Sequence, residues 1–165
     1  LRAKPKKKID GGRSISTENF FSSITDLSGI RIIHLYPKQI RDIHQIIQSQ
    51  IDEKEWVLHE EPKAYSWDPG STHIFTELGI KVETKESYYT SVHYVIRPNP
   101  TSPVRCEIQT RTLMEEAWGE IDHQINYPKE AKSPAVKEML KSLARLVVAG
   151  TTLSQAIIDL NCAED

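Results

Sequence analysis

The sequence predicts an α+β domain, with helices packed on a mixed or antiparallel sheet. Three observations carry that prediction. Residues 29–36 form an Ile-rich run with the character of a buried strand, and residues 89–96 and 104–110 alternate apolar and polar side chains as half-buried strands do. Apolar residues recur at helical spacing over 37–53, 112–125 and 134–161. The two alternating runs are joined by a short segment holding Pro98, Pro100 and Pro103, which suits an antiparallel hairpin.

In chain order, residues 1–19 read as a basic segment followed by a loop that opens at Gly11-Gly12. The strand at 29–36 ends at Pro37, a residue that suits the first turn of a helix. Ile40, Ile43, Ile47 and Ile51 then give 37–53 one apolar face. Trp56-Val57-Leu58 suggests a second strand. Residues 61–88 are weakly patterned: Asp68-Pro69-Gly70 reads as a turn, 72–78 as a short helix and 80–83 as a strand. Met114, Ala117, Trp118, Ile121 and Ile125 mark the helix over 112–125, and Pro128 closes it. Met139, Leu143, Leu146, Leu153, Ile157 and Leu160 define the long final helix at 134–161, and this stripe is expected to face the core. With no internal repeat, 1–165 reads as a single domain.

Composition narrows the class. Apolar residues make up 38% and charged residues 27%, as in ordinary water-soluble folds. No continuous apolar run reaches the roughly 20 residues of a membrane span. The N-terminus lacks the shape of a signal peptide, and Cys106 and Cys162 lie far apart with no metal spacing, which suits a reducing cytoplasm. The chain opens at Leu1 without an initiator Met, as expected for a piece of something longer. A net charge of −2 excludes a generally basic nucleic-acid binder, yet residues 1–13 are net +5 and the remainder net −7. Such a basic end is either solvated or one wall of a site for polyphosphate or RNA.

Strand alternation locates the candidate chemistry. Cys106, Ile108 and Thr110 share one face, and Glu107, Gln109 and Arg111 share the other. In the preceding strand Tyr89, Ser91 and His93 share a face, with Val92, Tyr94 and Ile96 opposite. Paired in a hairpin, the two polar rows lie side by side. They are either a solvated sheet face with cross-strand pairs or a surface for a nucleotide and a divalent ion. Asp26, just ahead of the first strand, is either a turn residue or a second Mg²⁺ ligand. Glu116, Glu120 and His123 share a helix face that reads as solvated. The glycine-rich phosphate loops, the His-Glu-x-x-His and Cys-x-x-Cys metal motifs and the serine nucleophile elbow are all absent.

These residues resemble a known family. Glu107-Ile108-Gln109-Thr110-Arg111-Thr112 is similar to the Glu-Ile-Gln-x-Arg-Thr signature of RelA/SpoT-type alarmone synthetases. Tyr88-Tyr89-Thr90-Ser91-Val92-His93 resembles that family's Gly-Tyr-x-Ser-Leu-His element, and Asp26-Leu27-Ser28-Gly29-Ile30-Arg31 its Asp-Leu-x-Gly-Ile-Arg motif. Residues 118–127 resemble the helix of its small, single-domain members, and Arg2-Ala3-Lys4 its Arg-x-Lys entrance to the ATP site. The resemblance spans residues 20–128 and the first four. It implies a nucleotidyltransferase-like mixed sheet flanked by helices. It implies transfer of the β,γ-pyrophosphoryl group of ATP to the 3′-hydroxyl of GDP or GTP, making (p)ppGpp. By the same resemblance, Asp26 and Glu107 hold Mg²⁺, and Glu107 helps to deprotonate the acceptor. Arg2, Lys4, Arg31 and Arg111 face the ATP phosphates. Tyr89 stacks on the acceptor base, Lys85 and His93 face its phosphates or ribose, and Gln109 supports them.

The sequence also departs from the family. The Asn-Gly that usually precedes the loop tyrosine is Ser87-Tyr88, and Leu78-Gly79-Ile80 stands where a Lys-Asp-Tyr element belongs. These changes lie on the acceptor side. They leave open a toxin-like enzyme that modifies adenine nucleotides or the tRNA 3′ end, with an antitoxin partner, and a non-catalytic nucleotide- or RNA-sensing module. A homo-oligomer is compatible with the long final helix, and no membrane association is expected. No His-Asp dipeptide occurs, so the family's hydrolase domain is not in this chain.

Overall fold

The computed structural model describes residues 28–129 and 133–163, so the expectations for Arg2, Lys4, Asp26 and the basic segment lie outside the described residues. The elements are β1 (Ser28–His34), a 3₁₀ turn at Pro37–Gln39, α1 (Ile40–Asp52), β2 (Val57–Leu58), β3 (Lys63–Tyr65), α2 (Pro69–Glu77), β4 (Lys81–Glu83), β5 (Ser91–Arg97), β6 (Cys106–Thr112), α3 (Leu113–Asn126) and α4 (Pro134–Asn161). The sheet runs β1-β6-β5-β3-β4, with β2 also alongside β5. β1 is parallel to β6 and β3 to β4, while β5 is antiparallel to β2, β3 and β6. The sheet is therefore mixed, and the expected β5–β6 hairpin is present with Tyr94 opposite Ile108.

One face of the sheet is the core. Val92, Tyr94, Ile96 and Ile108 meet Ile40 and Ile47 of α1 and Phe75 of α2, all at most 8% exposed. Tyr94 is the largest of the fully buried side chains, and its hydroxyl lies 3.0 Å from His44 Nδ1.

Local signals outside the apolar pattern explain the remaining boundaries. β3 escapes it because three residues, Lys63-Ala64-Tyr65, are too few to show an alternation. α2 starts at Pro69 rather than 72, because Asp68 caps it: Oδ2 accepts from Ser71 N at 2.7 Å, and Pro69 occupies the first turn. The same Asp-Pro-Gly triplet also satisfies a turn, which is how it reads in isolation. Gly79, at φ +73°, ends this helix in the left-handed conformation that glycine adopts without strain. α3 opens on a capping box in which Thr112 Oγ1 accepts from Glu115 N and Glu115 Oε2 accepts from Thr112 N. Burial pushes the Glu115 carboxyl up, against the two Thr112 hydrogen bonds.

The final helix corrects an expectation. Its buried residues are Leu140, Ala144 and Thr151, whereas Met139, Leu146, Leu153, Ile157 and Leu160 are 57–72% exposed. Those five of the six residues read as core face outward and Leu143 is half-buried, because the helix packs inward through the neighbouring row of Leu140, Ala144 and Thr151. By length and composition α4 could cross a membrane. In the fold it is fastened along its length instead. Trp118 Nε1 donates to the Leu140 carbonyl at 2.9 Å, and Lys38 binds Gln155 and Asp159 at 2.8 and 2.7 Å.

Burial also sets a pH dependence. His34 is 8% exposed and donates from Nδ1 to the Tyr36 carbonyl. Burial holds its imidazole, and that of His44, below the ordinary value of 6.5. Below that pH the unfolded chain binds protons that the fold excludes, so this stability is present above pH 6.5 and declines as pH falls through and beneath it. The urea midpoint should drop between pH 7 and 5, and His34→Gln, which retains a donor, should flatten the drop. An unchanged slope in that variant would remove His34 as a cause.

Candidate active site

The opposite face of the sheet carries the polar rows. In one row Arg31 of β1 neighbours Gln109 of β6, Gln109 faces His93 of β5, and His93 faces Lys63 of β3. In the next, Gly29 neighbours Glu107, which faces Val95. Register therefore brings Glu107, Gln109 and His93 together, and hydrogen bonds join them. His93 Nδ1 lies 2.9 Å from Glu107 Oε1, and Gln109 Nε2 donates to Glu107 Oε2 at 2.8 Å. A carboxylate only accepts, so Nδ1 carries the proton. On the other side of the ring, His93 Nε2 lies 3.1 Å from the Tyr89 hydroxyl. Both Glu107 oxygens are thus held by fixed donors, and Tyr89 is tied into the same chain.

A cationic and aromatic cluster flanks this chain. Lys85 Nζ sits 3.6 Å from the centroid of the Tyr65 ring and 4.8 Å from that of Tyr89. Burial lowers the Lys85 amine against the raising influence of Glu107 and Glu83. Tyr65 meets His93 edge-on at 5.1 Å. Lys85, Tyr89 and His93 are therefore assembled at one place, and Tyr65 joins them. Only its position in the unrecognised strand β3 could have revealed Tyr65 from sequence.

Arg31 and Arg111 are placed differently from open phosphate donors. α3 crosses the polar side of β1 and β6, and its acids turn inward. Arg31 Nη1 lies 2.6 Å from Glu116 and 2.7 Å from Glu120, while Arg111 Nε lies 2.6 Å from Glu116. The bond from Arg31 holds the Glu120 carboxyl below its ordinary value. Arg111 is only 5% exposed. The helix face that read as solvated is thus an ion-pair seam fixing α3 to the sheet. Beside it opens a cleft of about 550 Å³, in the range of ligand sites, walled by Arg31, Tyr89, Gln109 and Arg111 and by His123 and Tyr127. His123 and Tyr127 stack at 4.6 Å on the α3 side, a pair the sequence places one helical turn apart.

Gly119 lets α3 approach this closely. A Cβ there would collide with Arg111 Nη1. Gly119→Ala gains about 1 kcal/mol of helix propensity but forces Arg111 from its buried pairing, an overpacking cost of about 1–3 kcal/mol. A net loss of stability in urea is expected. A more stable variant would mean that Arg111 moves aside freely.

The departure at Tyr88 has a structural account. Tyr88 holds φ +65°, the left-handed backbone that suits the family's glycine. Its side chain offsets the strain by stacking on Trp67 at 4.5 Å and 15°, with Arg145 Cζ 5.4 Å from its ring. In the sequence nothing connects Trp67 to residue 88. The loop before Tyr89 is therefore pinned to α4.

A GTP pyrophosphokinase family protein from Streptococcus pneumoniae superposes with a TM-score of 0.65 at 19% identity, covering 87% of this chain and 64% of that one. Small alarmone synthetase 1 from Bacillus subtilis, bound to its product pppGpp, superposes at 0.58 with 23% identity over 88% of this chain and 67% of its own. Bound to AMPCPP, that protein gives 0.60 at 19% identity, covering 87% and 65%. The architecture is that of the small alarmone synthetases, a mixed sheet with a long C-terminal helix.

In sequence, GTP pyrophosphokinase YwaC of Bacillus subtilis (strain 168) is 23% identical over 126 residues, which is 73% of this chain and 51% of that protein. The chain thus spans about half the length of that relative. Residues 2–132 match the region found in RelA/SpoT proteins, and the chain belongs to that family.

Proposed function

We propose that this chain is the synthetase domain of an ATP:nucleotide 3′-pyrophosphotransferase that makes (p)ppGpp from ATP and GDP or GTP. The observation that carries this reading is the Glu107 carboxylate, held through both oxygens by His93 and Gln109, with Lys85 in its field and the Arg31–Gln109–Arg111 wall of the cleft adjoining it. In this reaction the acceptor 3′-oxygen bonds to the β-phosphorus of ATP. The bond from that phosphorus to the α,β-bridging oxygen breaks, and AMP leaves. The protein mainly positions groups and balances charge in such a transfer.

Glu107 takes the 3′-hydroxyl proton. Tyr89 supports the acceptor base, its orientation fixed by the bond to His93. Stacking of this kind contributes about 1–3 kcal/mol and fixes the sugar without selecting the base. Lys85 faces the acceptor phosphates and Arg31 and Arg111 line the ATP side, and the Arg-x-Lys resemblance assigns Arg2 and Lys4 to the same ATP phosphates. Among the described residues no three or more His, Cys, Asp or Glu side chains converge as a metal cage. Glu107 with Asp26, which precedes Gly29 by three positions, supplies the one or two carboxylates that suit Mg²⁺ on substrate phosphates. When bound there, Mg²⁺ neutralises phosphate charge.

A second reading keeps the transfer and changes the acceptor to an adenine nucleotide or the tRNA 3′ end. The Trp67–Tyr88 stack favours it, since it places bulk where the family has glycine. AMP release from ATP in Mg²⁺ should be measured with GDP, GTP, ADP, ATP and bulk tRNA as acceptors. Guanine-dependent release is expected. Release with tRNA alone, falling steeply with salt through phosphate contacts, would transfer the assignment to the second reading. ATP binding without release in any mixture would leave a sensing module.

A further inference from the structure

We propose that Tyr65 is a positioning residue: its ring holds the Lys85 ammonium in place for the 5′-phosphates of the acceptor nucleotide. The proposal rests on the pyrophosphotransferase reading above and names the residue that readies its acceptor side. Lys85 Nζ lies 3.6 Å from the centroid of Tyr65, nearer than its 4.8 Å to that of Tyr89. Among the described residues no carboxylate pairs with Lys85 Nζ, and Glu107 and Glu83 act on it only through their charge. Tyr65 reaches this place through the sheet. Its backbone neighbours are Ser91 of β5 and Glu83 of β4. Ala64, opposite Val92, is fully buried in the core, so alternation sends Tyr65 to the polar face with His93. There it meets His93 edge-on at 5.1 Å and Tyr89 at 6.0 Å, tilted by 57°. His93 is bonded to Glu107 and Tyr89 to His93, so the ring rests against fixed neighbours.

The choice of a ring has a physical reason. A lysine carries its charge on a flexible stem and gives up much rotamer freedom when that charge is fixed. An acid would fix Lys85 by an ion pair, and would then compete with phosphate for the same charge. A ring face holds the ammonium through its quadrupole and leaves both the charge and the N–H donors for an anion. The ring therefore orders Lys85 before the acceptor arrives, and such preorganisation adds affinity. Tyr65 acts through Lys85 rather than on the reacting atoms. The two tyrosines divide the acceptor between them: Tyr89 supports the base, and the Tyr65–Lys85 pair takes the phosphates.

The test is NMR of the chain with its lysines reductively ¹³C-methylated, the Lys85 signal being assigned by its loss in Lys85→Arg. The ring current should shift that signal upfield of the exposed lysines. Tyr65→Leu should abolish the shift, and Tyr65→Phe should restore it. GDP should move the signal, and guanosine, which has no phosphate, should not. The GDP dissociation constant from that titration should rise about tenfold in Tyr65→Leu, the scale of a desolvated cation–π contact, and recover in Tyr65→Phe. A Lys85 signal that is unshifted in the wild type, or shifted and indifferent to GDP, overturns the proposal. So does a Tyr65→Phe chain as weak for GDP as Tyr65→Leu, because the hydroxyl and not the ring would then matter. Should Tyr65→Leu misfold, the wild-type shift and its response to GDP and guanosine still decide. A Lys85 that answers GDP in a chain that releases no AMP from ATP would sustain this proposal and remove the assigned transfer.

Discussion

Glu107→Gln should lower AMP release by about 10³-fold, the size of effect seen when a positioned proton acceptor is lost, with little change in stability. The substitution keeps the shape and removes the charge. The surrounding bonds tolerate it because His93 has a second tautomer. With its proton on Nε2, it donates to the Tyr89 hydroxyl and accepts from the new amide at Nδ1, while the amide oxygen still receives the Gln109 donor. The fold is therefore expected to survive with a urea midpoint close to that of the parent, and ATP affinity should fall far less than turnover. Equal losses in stability and turnover would show that Glu107 acts as a structural link rather than in the reaction. Unchanged turnover would remove it from the chemistry.

Tyr94→Ala should have the largest effect on stability, a loss of about 3–5 kcal/mol. Tyr94 is 1% exposed in the middle of β5, between α1 and the hairpin partner Ile108. Removing its ring opens a cavity that the surrounding Ile40, Ile47 and Ile96 cannot fill without moving the sheet. Burial also pushes the Tyr94 phenol upward, so it is a neutral hydroxyl, bonded to His44. Tyr94→Phe keeps the ring and loses that bond, and should cost only about 0.5–1.5 kcal/mol. Urea unfolding of both variants separates packing from hydrogen bonding. Similar costs for the two would mean that the hydroxyl, not the ring, holds the core at this point.

What the chain discloses in advance follows from how many residues carry each signal. β5 and β6 are seven residues each with clean alternation, so both faces of the hairpin are legible, and with them the neighbourhood of Glu107, Gln109 and His93. β3 has three residues and no period, which hides Tyr65 beneath Lys85. The start of α2 depends on one capping bond from Asp68, a contact local in space but ambiguous in sequence. Glu116 and Glu120 read as solvated because helical spacing gives a shared face and not what lies opposite. Arg31, 85 and 89 residues away, makes that face a seam. On α4 periodicity finds the apolar stripe, but direction depends on the fit of Leu140 and Ala144 against α3. Trp67 and Tyr88 show a further limit: the motif comparison marks residue 88 as a departure, and only the stack shows how the chain sustains it.

The most direct measurement is to identify the products formed from ATP and GDP in Mg²⁺ by ³¹P NMR and mass. The account predicts AMP and a guanosine nucleotide bearing a new 3′-diphosphate, in equal amounts. ADP with a singly phosphorylated acceptor, or ADP with inorganic phosphate, would contradict it, because the bond broken would then lie between the β- and γ-phosphorus atoms.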